Sequence, residues 1–260
     1  MFSLINEVKS KTPLVVHFTN EVTINDCANI TLAIGASPIM SSYMDDLEDI
    51  VKIASSIVIN IGTINRETSI IFKEVARLAK IYDKKIVLDP VGVFASPVRF
   101  KYVKELLEIN SFTVIKGNIA EIKAIGGIAS SGQGVDSLDN EVNIDIIKDL
   151  SKKLNTILAI TGKIDYITEG DRVIKIENGS VKLKSVTGTG CMSASLIASY
   201  LGATDKNLEA AAMGVLTMAL SGELADKENQ GIGSFKVSLM DEVYLLDEEK
   251  IKRLAKVEGV

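Results

Sequence analysis

Apolar residues gather along this chain in two different rhythms. Short runs rich in β-branched residues are apolar almost throughout: "PLVVHF" (13–18), "SSIVINIG" (55–62), "KKIVLDP" (84–90), "FTVIKG" (112–117) and "NTILAITG" (155–162). An alternating strand has one wet face, whereas a strand without alternation is covered on both, as in parallel sheets. Between these runs apolar residues fall three and four apart, as in 66–82 "RETSIIFKEVARLAKIY" and 141–154 "EVNIDIIKDLSKKL", the period of an amphipathic helix. Strand-helix units in succession predict an α/β fold with a mostly parallel central sheet and helices on both faces.

Residues 164–184, "IDYITEGDRVIKIENGSVKLK", alternate instead, with turn signals at Glu169-Gly170 and Asn178-Gly179. They predict antiparallel strands at one sheet edge. From Val186 onward the pattern is mainly helical. The acidic run "MDDLED" (44–49) reads as a solvated helix start, and "SSGQGVDSLDN" (130–140) as a loop. With no repeat, low-complexity tract or linker, a single domain over 1–260 is expected.

Composition narrows the classes. Hydrophobic residues make up 47% and charged residues 24%, enough for a sizeable core and too little bias for disorder. A net charge of −5 argues against a nucleic-acid surface, which needs a basic field, so any phosphate recognition is local. The longest apolar stretches, "CMSASLIASYLGA" and "AAAMGVLTMALSG", fall short of the roughly 18–20 residues of a membrane span and predict buried helices. The apolar patch in "MFSLINEVKSKTP" is too short for a signal peptide. Cys27 and Cys191 belong to no CxxC pair, and reduced thiols in a cytoplasmic protein are expected.

Four strand endings carry polar or small residues: "NIGT" (60–63), "LDPVG" (88–92), "IKGN" (115–118) and "AITGK" (159–163). Ligands of open parallel sheets bind along that carboxyl edge. In "SVTGTGCMSAS" (185–195), Gly188 and Gly190 open a helix whose first N–H groups face outward, either an anion hole or a tightly packed turn. Cys191 stands on that turn, where the helix dipole favours a thiolate, although a cysteine also serves as a small hydrophobe. Asn118 and Glu121 open a helix after a strand; they suit a hydrated magnesium, or equally a capping box. Asp89, held extended before Pro90, suits magnesium or a turn. Lys116 suits phosphate oxygens. Asn20, Thr23, Asn25 and Asn29 offer neutral polar groups to a small uncharged substrate, and His17, the one histidine, reads as a structural residue near a strand end.

The ordered set "TN…GASPIM…NIGT…LDPVG…IKGNxxE…AITG…VTGTGC", from about Pro13 to Phe235, resembles the hydroxyethylthiazole kinase family. The resemblance implies a ribokinase-like fold and ATP- and magnesium-dependent phosphorylation of 4-methyl-5-(2-hydroxyethyl)thiazole in thiamine biosynthesis or salvage. It implies that Cys191 fills the slot where ribokinase-like relatives usually carry an aspartate that takes the hydroxyl proton. Gly188 would face the substrate; Gly190, Lys116, Asn118 and Thr161 would serve ATP; Asp89 and Glu121 would organise magnesium. Asn20, Met40, Gly62 and Thr63 match the thiazole pocket, and a homotrimer with sites between subunits is implied.

Two residues depart from the family pattern. "LVVHFTN" stands where the family commonly reads "LVHxITN", so His17 is displaced by one position and Val16 takes its place. Lys116 replaces an arginine found in many members, a point charge for a bidentate fork. The competing readings are a hydroxymethylpyrimidine or pyridoxal-type kinase, which Cys191 and "GASPIM" argue against, and a non-catalytic thiazole or nucleotide binder, which would need neither Asp89 nor Glu121.

Overall fold

The structure is a computed structural model that describes residues 1–128, 142–228 and 231–259. The loop expected over 130–140 lies outside the described residues. Nine strands form one sheet: β1 Leu14–Phe18, β2 Ser37–Met40, β3 Ser56–Asn60, β4 Lys85–Asp89, β5 Val114–Asn118, β6 Ile157–Thr161, β7 Asp165–Glu169, β8 Arg172–Ile176 and β9 Val257–Glu258. Their order is β2-β1-β3-β4-β5-β6-β7-β8-β9. All pairings are parallel as far as β6, and those beyond it are antiparallel.

The helices are α1 Leu4–Lys11, α2 Ile24–Ile34, α3 Leu47–Ile53, α4 Arg66–Ile81, α5 Pro97–Ile109, α6 Ile119–Gly126, α7 Ile144–Leu154, α8 Thr189–Ala203, α9 Asn207–Glu228, α10 Ile232–Leu245 and α11 Glu248–Leu254. Successive strand residues point to opposite faces, so the unbroken apolar runs feed two cores. In β3, Val58 joins the core built with α1, α2, α8, α9 and α10, while Ile57 and Ile59 join the core built with α3 to α7. Each such side chain, fully buried, contributes about 1.5–3 kcal/mol.

Three expectations need correction. The 164–184 stretch gives a hairpin, β7 and β8, with Glu169 opposite Arg172. After Gly179 the chain instead forms a 3-10 turn, Val181–Ser185. The next strand is supplied by the C-terminal segment: the buried Asn178 accepts from Lys256 N (2.7 Å) and donates to the Leu254 carbonyl (3.0 Å), which docks β9 on β8. The second correction is α9, whose residues Asn207–Lys227 are long and apolar enough to cross a membrane, with 83% of the most apolar stretch buried inside the protein. It is a core helix packed on α8. Third, the edge strand β2 and the helix α1 were not expected from the apolar rhythm.

The chain leaves β1 for β2 on one side and returns to β3 on the other. Strand order therefore reverses at β1, and the crevice beyond the ends of β1 and β3 is where such a sheet receives a ligand.

Candidate active site

Asn20 follows β1 and Asn60 ends β3, so the reversal brings two buried amides together at the carboxyl edge. Asn20 Nδ2 donates to Asn60 Oδ1 at 3.0 Å, and Gly62 N donates to the same oxygen at 2.9 Å. Asn60 Nδ2 in turn donates to Asp89 Oδ2 at 2.7 Å and to Cys191 Sγ at 3.2 Å. All four hydrogen-bonding positions of the Asn60 amide are filled, which fixes its orientation. Asn20 Nδ2 also reaches Cys191 Sγ, at 3.4 Å, while its Oδ1 accepts from the backbone of Val22 and Thr23. The sulfur thus accepts from two amides.

Cys191 sits on the first turn of α8, whose N-cap, Gly188, carries no side-chain cap. Gly188 has φ +89°, and a Cβ there would lie 2.6 Å from the Thr23 methyl, so only glycine fits. A Cβ on Gly190 would lie 2.9 Å from Lys116 Nζ, which places the ammonium against the first turn of α8. Lys116 Nζ stands 3.7 Å from Asp89 Oδ1, with side-chain exposures of 6% and 1%. Gly190→Ala should therefore displace the ammonium and lower kcat by up to about 10²-fold, the scale of a misplacement near 1 Å, with little change in Tm; steady-state kinetics and a melting curve check this.

Electrostatics correct one expectation. The thiol is pushed up from its ordinary value by burial and then by the Asp89 charge, and Thr23, Lys116 and Asn60 only partly offset this. The helix terminus does not win, and the resting group is the thiol. Burial likewise pushes the Asp89 carboxyl up to about 6, against the pull of Lys116. Burial alone would lower Lys116, but Asp89, Glu121 and Cys191 outweigh it and its ammonium is stabilised.

For magnesium the donor set is sparse: among the described residues no group of three or more His, Cys, Asp and Glu is placed to hold a metal ion. Asp89 Oδ1 is nevertheless buried without a hydrogen-bond partner, the kind of orphaned oxygen that a hydrated cation satisfies. Glu121 forms the capping box with Asn118, accepting from Asn118 N at 2.9 Å, and its other oxygen accepts from Gly92 N at 3.0 Å. Both of its oxygens already serve the backbone, so it fits a cation through water rather than directly. Magnesium, which keeps several waters and takes one or two carboxylates, suits that set.

Beside the Gly190 turn lies a cavity of about 590 Å³, reached by Asn118 and Thr161 on one wall and by Leu183, Val215 and Met218 on another. A lining that mixes polar groups with apolar side chains suits a nucleotide. A second cavity, about 560 Å³, lies at the opposite edge of the sheet near Thr113, Asn155 and Thr156; it is as large but holds none of these chemical groups. Of the residues expected from the sequence, Thr63 lies half-buried in the turn after β3, its hydroxyl accepting from Glu21 N at 3.0 Å. Met40 ends β2 opposite His17, on the far side of β1 from Asn60. His17 is structural as expected: it is buried, meets the Val15 carbonyl and the Ser195 hydroxyl, and burial lowers it to about 4, leaving it neutral.

Sequence reasoning missed three residues. Asn60 was visible only as the first letter of "NIGT". Arg99, on α5, donates to the carbonyls of Ile61, Gly62 and Val91, and no local signal marks it. Asp165 lines the large cavity, accepts from Gly162 N at 2.8 Å, and is pushed by burial up to about 7. A carboxyl raised above its unfolded value binds more protons when folded, so its contribution to stability falls as pH rises from about 4 to about 7. Asp165→Asn keeps an oxygen for Gly162 and should raise Tm at pH 8 while changing it little at pH 4, which melting curves at the two pH values check.

A doubly wound, mostly parallel sheet with a glycine-opened helix set against its carboxyl edge is the architecture of the ribokinase-like kinases. A ribokinase-like superfamily protein from Enterococcus faecalis V583 has the same fold at TM-score 0.68 over 95% of each chain, with 14% identity. Within that class, the chain belongs to the hydroxyethylthiazole kinase family, whose sequence profile matches residues 5–249. It is 51% identical over 259 residues, 99% of each chain, to the hydroxyethylthiazole kinase of Clostridioides difficile (strain 630). The solved structure of the hydroxyethylthiazole kinase protein from Pyrococcus horikoshii OT3 superposes at TM-score 0.90 with 35% identity, covering 100% of this chain and 98% of that one.

Proposed function

We propose that this kinase moves the γ-phosphoryl group of ATP to the side-chain hydroxyl of 4-methyl-5-(2-hydroxyethyl)thiazole, a step of thiamine biosynthesis or salvage. The observation that carries the reading is the unbroken run of contacts from Lys116 through Asp89 and Asn60 to Cys191, lying where the crevice meets the large cavity, in a chain of this family. ATP occupies the cavity with its phosphates toward Gly190, Thr161 and Asn118. Lys116 and the first N–H groups of α8 neutralise charge on the transferring group, the dominant requirement when the transition state is loose. Asp89, with Glu121 through water, would hold magnesium, which would supply further charge neutralisation. The thiazole lies among Asn20, Gly62, Thr63 and Met40, with its hydroxyl toward Gly188 and Cys191.

Cys191 takes the general-base slot. Its sulfur, which accepts from two amides, orients the hydroxyl as a thiol; to act as base it first gives up its own S–H proton to solvent, and the thiolate then takes the hydroxyl proton late, ending as the thiol. The exposed apolar side chains of Val22, Ile24 and Leu32, on the loop and helix after Asn20, support a homotrimer with the pocket at a subunit boundary, in a cytoplasmic enzyme that works as one domain. A pyridoxal alcohol is not favoured, because the likeness to pyridoxal kinases, at 14–16% identity, extends to the fold alone, and a pyrimidine alcohol is not favoured in a chain of this family. Coupled ADP release with the thiazole alcohol, a hydroxymethylpyrimidine and pyridoxal tests the reading: the thiazole should be preferred by at least about 10²-fold in kcat/KM, or about 2.7 kcal/mol. A preference for either other alcohol, or no turnover, would reject it.

A further inference from the structure

Arg99, in the first turn of α5, has no part in the chemistry above, yet it gathers three main-chain carbonyls. Its Nη1 donates to Ile61 O at 2.9 Å and Val91 O at 3.1 Å, and its Nη2 donates to Gly62 O at 3.0 Å. No carboxylate pairs with it among the described residues. These bonds tie the loop after β3, which carries Gly62 and Thr63, to the loop after Asp89.

In a trans peptide unit the N–H points away from the carbonyl of the same unit, and no cis bond occurs among the described residues. The three carbonyls held by Arg99 therefore have the N–H groups of Gly62, Thr63 and Gly92 on their far sides. Two of these are engaged within the site: Gly62 N–H donates to Asn60 Oδ1 at 2.9 Å and Gly92 N–H to Glu121 Oε1 at 3.0 Å. The third, Thr63 N–H, has no partner among the described residues. A charged donor on each carbonyl polarises its peptide unit and strengthens the N–H opposite.

We propose that Arg99 is a positioning residue that holds the loop after β3 from behind and aims the Thr63 N–H into the acceptor pocket as a donor to the ring nitrogen of a heteroaromatic alcohol. This rests on the reading of the chain as a thiazole-alcohol kinase. A carbonyl-saturated guanidinium cannot be replaced by lysine without loss, since one ammonium does not span two loops in a planar fork.

The experiment compares wild type, Arg99→Lys and Arg99→Ala with two alcohols: the thiazole, and its thiophene analogue with CH in place of the ring nitrogen. KM and kcat are measured, with dissociation constants by calorimetry and Tm for each variant. Arg99→Ala should raise the thiazole KM about tenfold, the scale of one neutral hydrogen bond. The ATP KM should stay unchanged, the thiophene analogue should be affected far less, and Arg99→Lys should fall between. An equal loss for both alcohols, or none for the thiazole, would overturn the proposal. If Arg99→Ala does not fold, Arg99→Lys carries the same comparison. Wild-type enzyme that neither binds nor turns over the thiazole would instead reject the functional reading, an outcome visible before any variant is made.

Discussion

Lys116→Met should lower kcat by about 10²–10³-fold, the scale of removing one preorganised charge donor from a developing anion, because Lys116 is the cation packed against Gly190. It should also destabilise the fold, since it leaves the Asp89 carboxylate buried without its cation, a change worth about 3–5 kcal/mol. The sign of the pH dependence follows from Asp89. Its carboxyl sits at about 6 in the fold against an ordinary 3.8, so its contribution to stability falls as pH rises between those values and is level above them. Without Lys116 the carboxyl moves further up. The variant's deficit should therefore grow from pH 6 to pH 8 and shrink toward pH 5, read by urea unfolding at each pH; an equal deficit throughout would mean that Lys116 does not balance Asp89.

Cys191→Ala should reduce kcat by about 10²-fold, the low end for a proton-transfer group, with little change in thiazole KM. The low end applies because a loose phosphoryl transition state draws little on early proton removal. Cys191→Asp should remain active: a carboxylate can accept from the same Asn20 and Asn60 amides that now reach the sulfur. Because burial and Asp89 hold the thiol above its ordinary value, the pH–rate profile of Cys191→Asp should lie to the acid side of wild type. Alanine turning over as fast as wild type would reduce the thiol to packing.

The sheet was legible where the sequence is apolar on both faces of a strand, as in β1 and β3 to β6, and illegible where a neighbour makes the strand. The edge strand β2 is four residues of "SPIM" with no fully buried position, and β9 pairs through only two residues, so neither could announce itself by periodicity. The site shows the same division. Gly188 and Gly190 are readable because a turn into a helix demands special backbone, but the state of Cys191 depends on Asp89, a hundred residues earlier in the chain. Asn118 and Glu121 fit a capping box and a metal outer shell alike, and the structure shows the box while leaving the orphaned oxygen on Asp89. Asn60 and Arg99 act through loops that only the folded sheet brings side by side.

Phosphoryl transfer in this site requires the acceptor hydroxyl and the terminal phosphate to meet between Cys191 and Lys116. A crystal of the enzyme with the thiazole alcohol, magnesium and a non-hydrolysable ATP analogue measures that directly. The predicted result is the hydroxyl oxygen within hydrogen-bond reach of Cys191 Sγ and the terminal phosphate against Gly190 N–H and Lys116 Nζ. Phosphates in the cavity near Thr113 and Asn155, or a thiazole remote from Asn20 and Asn60, would contradict it.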